Sequence, residues 1–76
     1  MTEPALTLDC RGMRCPLPII VLARRIGEIE PGEVVALLAD DPAARSDVPA
    51  WCSMRAQTYL GEDEPGRFLV RRNTGG

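Results

Sequence analysis

Prolines set the layout of this 76-residue chain more firmly than any other feature. Pro4, Pro16, Pro18, Pro31, Pro42, Pro49 and Pro65 recur so often that no element can run far without meeting one. Proline has no backbone donor and is tolerated chiefly in a helix's first turn or at a sheet edge, so each marks a boundary. Pro31-Gly32 reads as a helix stop and Pro65-Gly66 as a turn. Asp40-Asp41-Pro42 and Asp47-Val48-Pro49 each read as a helix start, an Asp cap with proline in the first turn.

The hydrophobic pattern fills the intervals. Ala5 to Cys10 alternates, with Leu6, Leu8 and Cys10 on one face, as in a half-buried strand. Arg11-Gly12-Met13-Arg14 turns the chain. From Pro16 to about Glu30 the pattern is helical, with a stripe of Ile19, Leu22, Ile26 and Ile29 and with Arg24 and Glu28 four apart on a more polar side. Glu33 to Ala39 is a second strand whose unbroken apolar run from Val34 predicts cover on both faces. Should helices meet only one face, the other is a partner surface. A short turn over 42–46 and a second helix from about Val48 to Ala56 follow. Thr58–Gly61 and Arg67–Arg72 are then strands joined by Glu62-Asp63-Glu64-Pro65-Gly66.

The order βαβαββ predicts an α/β (α+β) two-layer sandwich, a four-stranded mixed sheet with two helices on one face. One domain spans 1–76, and Arg71 to Gly76 reads as a frayed tail, with 73–76 flexible. Arg67, Arg71 and Arg72 read as the solvated face of an outer strand.

Composition narrows the chemistry. There is no histidine and no lysine, which excludes Ser-His-Asp and Cys-His catalysis, imidazole metal ligands and Schiff bases. A formal charge of −2 argues against direct nucleic-acid binding. The longest apolar run, Pro16 to Ala23, is far below the ~20 residues a membrane span needs. With an acidic opening, Met1-Thr2-Glu3-Pro4, the expected location is the cytoplasm, with no membrane association. Three cysteines are too few for a disulfide scaffold, and Cys10, Cys15 and Cys52 lack a fourth ligand for zinc, so no metal and no cofactor is expected.

The informative stretch is Cys15-Pro16-Leu17-Pro18. Two prolines fix the backbone at a helix start, and Cys15 sits at or beside the N-cap, where free N–H groups and the macrodipole favour an anion. Arg11 and Arg14 in the preceding turn push the same way. Cys15 thus reads as a thiolate nucleophile, supported by Arg11, Arg14, Pro16 and Pro18; the alternative is a small apolar residue filling a gap. Thiol exchange and sulfur transfer need no proton-shuttling histidine, since attacking and leaving thiolates are both competent near neutral pH. Cys10 continues the Leu6–Leu8 face and reads as buried, with a resolving role as the alternative; Cys52, after Trp51, reads as core.

Four blocks carry a resemblance: Leu8-Asp9-Cys10-Arg11-Gly12-Met13-Arg14-Cys15-Pro16-Leu17-Pro18, Pro31-Gly32-Glu33, Ala39-Asp40-Asp41-Pro42-Ala43 and Asp47-Val48-Pro49-Ala50-Trp51-Cys52. In register from about Leu6 to Arg72, they resemble the TusA/SirA family of small sulfur-carrier proteins. The resemblance implies a persulfide on Cys15, loaded by a cysteine desulfurase or other persulfide donor and passed to a downstream sulfur-relay protein for tRNA thiolation, molybdenum-cofactor synthesis or sulfur oxidation. It also implies partner docking at Asp41, which by itself reads as a helix cap. Val21 and Ala23 stand where many relatives are basic, and Leu17 where some have Glu, which points to a different donor or a different way of binding it. Two other readings stay open: a non-catalytic interaction module, and a redox switch through Cys10 and Cys15. Gly75-Gly76 resembles the end of thiocarboxylate carriers, but those folds begin with a hairpin, so here it reads as tail. The free chain is expected to be monomeric.

Overall fold

The computed structural model describes residues 3–74. Four strands, β1 (Leu6–Asp9), β2 (Val34–Leu38), β3 (Thr58–Glu64) and β4 (Arg67–Arg71), form one sheet in the order β1-β2-β4-β3. Helices α1 (Leu17–Arg25) and α2 (Ala44–Met54) complete the predicted βαβαββ order. β1 and β2 are parallel, joined through α1, while β4 runs antiparallel to both neighbours, so the sheet is mixed. Parallel pairing of β1 and β2 brings their C-terminal ends together, and with them the loop before α1 and the loop before α2. The site depends on that adjacency.

The core lies between the helices and one sheet face. Leu8 and Cys10, Val35, Leu37 and Ala39, and Phe68 and Val70 alternate inward from three strands onto Leu22, Ile26, Val48, Trp51 and Cys52. β2 is central and buried along both faces from Val34 to Leu37, as its apolar run predicts. On the face away from the helices Ala36 stands in register between Thr7 and Leu69.

Several boundaries differ from expectation for local reasons. α1 ends at Arg25 and tightens into a 3-10 turn over Ile26–Glu28. At three residues per turn, side chains three apart eclipse, so Glu28 pairs with Arg25 rather than Arg24. Pro18 replaces Ile19 as a fully buried member of the stripe. α2 begins at Ala44, not Val48: its N-cap is Ala43, whose N–H donates to Asp41 rather than being capped by it, Asp47 lies inside the first turns, and Pro49 is carried within the helix. β3 runs on to Glu64, so only Pro65-Gly66 turns the hairpin. The charged run Glu62-Asp63-Glu64 suits an edge strand, where side chains remain in water.

The carboxyl end is tied down further than a frayed tail would be. Arg71 closes β4, and Arg72 N–H donates to Glu33 O at 2.9 Å. Asn73 N–H donates to Oε1 of the buried Gln57 at 2.8 Å, and its amide donates to Ala56 O at 2.9 Å. Gly75 and Gly76, the thiocarboxylate-like end, lie outside the described residues.

Candidate functional site

Cys15 lies in the loop between β1 and α1, half-buried against the core and free of any disulfide. Cys10 and Cys52 are also free thiols but only 1% and 2% exposed. Cys10 therefore occupies the core position its alternation predicts. Cys15 is the one cysteine of the three that meets the surface.

Cys15 lies directly before the N-cap, as the Cys-Pro-x-Pro stretch predicts, but few free donors remain at this helix start. Pro16 is the N-cap of α1, with the Cys15–Pro16 peptide bond cis, and Pro18 is buried. Leu17 N–H donates to Arg14 O at 2.9 Å, Ile20 N–H donates to Pro16 O at 3.0 Å, and Pro18 has no N–H. Two prolines and these bonds remove most of the orphan donors that would have met an anion here.

The arginines do not gather on the thiol. Arg11 forks onto Asp9, with Nε to Oδ1 at 2.9 Å and Nη2 to Oδ2 at 2.8 Å, and this pairing holds the Asp9 carboxyl down to about 2. Arg14 is exposed, and its charge acts on Asp41, helping to keep that carboxyl low.

Carboxylates gather there instead. Asp41 Oδ2 accepts the Cys15 N–H at 3.1 Å and Oδ1 accepts the Ala43 N–H at 2.9 Å, so one side chain fastens the thiol loop to the start of α2. Asp40 accepts the Gly12 N–H with both oxygens, at 3.0 and 3.1 Å. Burial, then a hydrogen bond to Asp47, then the charges of Asp47 and Asp41 push the Cys15 thiol up to about 11. The surroundings of Cys15 thus favour the protonated thiol, whereas the helix start alone favours the thiolate.

Asp40 and Asp47 were invisible as site residues because both read as helix-entrance signals. What could have found them is topology: in a parallel β1–β2 pair, the residues after β2 must lie beside the residues after β1.

Apolar side chains are also exposed on the thiol loop and the two helices. Met13, Leu17, Ile20 and Met54 are large hydrophobic side chains exposed by 36%, 51%, 41% and 78%. An open notch of about 280 Å³ between the helices is lined by Pro16, Ile19, Asp47, Ala50, Trp51 and Met54. A roomier cleft of about 430 Å³ lies beyond Asp40 and Asp41 toward the hairpin turn, without Cys15 in its wall. Its three arginines, Arg11, Arg45 and Arg67, are already paired with Asp9, Glu62 and Asp63. Among the described residues no group of three or more histidine, cysteine or acidic side chains is placed to hold a metal, and no helix is long and apolar enough to cross a membrane.

The site is therefore an accessible thiol with no histidine, bordered by carboxylates, on a small α/β sandwich. The family model for the sulfurtransferase TusA matches residues 6–72, which is β1 through the residue after β4 and includes every residue of the site. The chain belongs to the TusA sulfurtransferase family.

Proposed function

We propose that the protein carries sulfane sulfur as a persulfide on Cys15. The sulfur of Cys15 attacks the terminal sulfur of a donor persulfide, the donor's S–S bond breaks, and the proton lost from Cys15 passes to the departing donor thiolate. The products are Cys15–S–SH and a donor thiol; attack by an acceptor thiol on the terminal sulfur completes the relay. The observation that carries this reading is that Cys15 alone of three thiols is accessible, while Cys10 and Cys52 are sealed in the core.

The donor is a cysteine desulfurase or another persulfide donor, and the acceptor is a downstream relay protein. Both dock on the exposed apolar side chains of Met13, Leu17, Ile20 and Met54, which have the chemistry of a protein contact rather than of a nucleic-acid or membrane surface. Deprotonation of Cys15 falls to the complex, since the carrier's own neighbours of the thiol are carboxylates. Three unpaired thiols suit the reducing cytoplasm, where the carrier would act as a monomer between encounters.

Incubation with a purified cysteine desulfurase and cysteine, followed by intact mass measurement, should show one added sulfur atom that reductant removes. Cys10→Ser and Cys52→Ser should still load, and Cys15→Ser should not. Loading of Cys15→Ser at the wild-type level would end the proposal for Cys15, and a wild type that takes up no sulfur would leave a non-catalytic interaction module as the reading.

A further inference from the structure

The two carboxylates that follow β2 reach across to the loop that carries the thiol. Asp41 and Cys15 are 26 residues apart in sequence, yet Asp41 Oδ2 lies 3.1 Å from the Cys15 nitrogen. Its other oxygen is committed to Ala43 N–H at 2.9 Å, on the far side of the gap. Asp40 holds Gly12, at a φ of 85° in the turn, through both oxygens. The loop is also held by Cys10 N–H to Leu38 O at 2.8 Å, Met13 N–H to Cys10 O at 3.2 Å, Leu17 N–H to Arg14 O at 2.9 Å and Arg11 N–H to Asp9 Oδ1 at 3.2 Å.

A carboxylate with each oxygen bound to a backbone donor on a different element fixes a direction as well as a distance, and such charge-assisted bonds are roughly twice as strong as neutral ones. The Cys15 nitrogen is one bond from its Cα, so anchoring that N–H orients the bond along which the thiol leaves the loop. Asparagine could not replace this arrangement, because it offers a single acceptor oxygen and would turn an amide donor toward the second N–H.

We infer that Asp41 is a positioning residue for Cys15, its carboxylate clamping the Cys15 and Ala43 amides so that the thiol is aimed outward at a docked partner, with Asp40 steadying the same loop through Gly12. The inference rests on the sulfur-carrier reading above and gives Asp41 a role distinct from docking. It also predicts a signature that docking lacks. The charged groups bearing on the thiol are Asp47 and Asp41, both opposing its ionisation. Removing Asp41 should therefore make Cys15 easier to ionise while making it less well aimed.

The test uses Asp41→Asn and Asp41→Ala with three measurements: hydrogen exchange at the Cys15 amide, iodoacetamide alkylation of Cys15 against pH, and loading by a purified cysteine desulfurase over a range of carrier concentrations. The expected result is faster exchange at Cys15, an alkylation midpoint moved to lower pH, and a kcat for loading about tenfold lower with KM within about twofold, the effect of one lost charge-assisted hydrogen bond. A loss confined to KM, with exchange and alkylation unchanged, makes Asp41 a docking residue and overturns the inference, as does an unchanged kcat. Should neither variant fold, Asp40→Asn is measured in the same way, and unchanged exchange at residues 12–15 there overturns it. If the wild type takes up no sulfur while the exchange and alkylation shifts appear, the carrier reading fails and the clamp itself stands.

Discussion

Replacing Asp47 with Asn should make Cys15 react faster with small electrophiles, and the size of the effect follows from its surroundings. Burial, the Asp47 hydrogen bond and the Asp47 and Asp41 charges together raise the thiol from 9.0 to about 11. At pH 8 a thiol titrating near 9 is roughly one part in ten thiolate, whereas one near 11 is roughly one part in a thousand, about a hundredfold less. The more basic thiolate is the better nucleophile, and a Brønsted slope of ~0.4–0.5 over two units returns roughly six- to tenfold of that loss. Wild-type Cys15 should then be alkylated about tenfold more slowly than an unperturbed thiol at pH 8. The assay is iodoacetamide labelling from pH 6 to 11, followed by intact mass; the first added group reports Cys15, because Cys10 and Cys52 are 1% and 2% exposed. Asp47→Asn removes the charge, leaving burial and an amide oxygen in place, so the midpoint should fall below about 11 without reaching that of a free thiol. A wild-type midpoint at or below ~8.5 would refute the reasoning, since the helix start and Arg14 would then outweigh two carboxylates.

Two backbone positions should respond to substitution with opposite signs. At Gly66, φ is +82° and an added Cβ would lie 2.8 Å from Ala39 O, so Gly66→Ala should destabilise by about 2 kcal/mol, whereas Ala56, a left-handed residue at φ 58°, should stabilise by about 1 kcal/mol as Ala56→Gly. Urea midpoints that move the same way in both variants would contradict this account. Stability should also fall at high pH: the Cys15 and Cys52 thiols are each raised from 9.0 to about 11, so their contribution is complete below pH 9 and is lost as pH rises through 11. A Tm that stays flat between pH 9 and 11 would show that neither thiol resists ionisation in the folded chain.

Features that depend on local periodicity could be read from the sequence, and those that depend on long-range donors and acceptors could not. Leu6-Leu8-Cys10 alternation placed β1 and buried Cys10, and the Val34–Ala39 run announced a central strand, because burial on one or two faces writes itself directly into residue order. The reach of β3 to Glu64 was hidden, since an edge strand tolerates the same charges as a loop. Cys15-Pro16-Leu17-Pro18 pointed to the one accessible cysteine, but not to the carboxylates that surround it and push its thiol upward. The macrodipole argument assumed free N–H groups, whereas the prolines that mark the helix start also delete donors. Asp41 reads as a helix cap, whereas α2 has Ala43 as its N-cap and Asp41 only accepts the Ala43 N–H; its second oxygen is bound 26 residues away, a distance at which sequence order carries no signal without the parallel register of β1 and β2.

Gly66 gives the hairpin a mechanical connection to this loop. With no side chain there, the β3–β4 turn closes on Ala39, whose N–H donates to Gly66 O at 2.9 Å, and the next two residues are the carboxylates that hold Gly12 and Cys15. The turn and the thiol loop are thus tied to the same short stretch of backbone, Gly66 through Ala39 and Gly12 and Cys15 through Asp40 and Asp41. A side chain at position 66 would press on Ala39 O, the carbonyl immediately before both carboxylates.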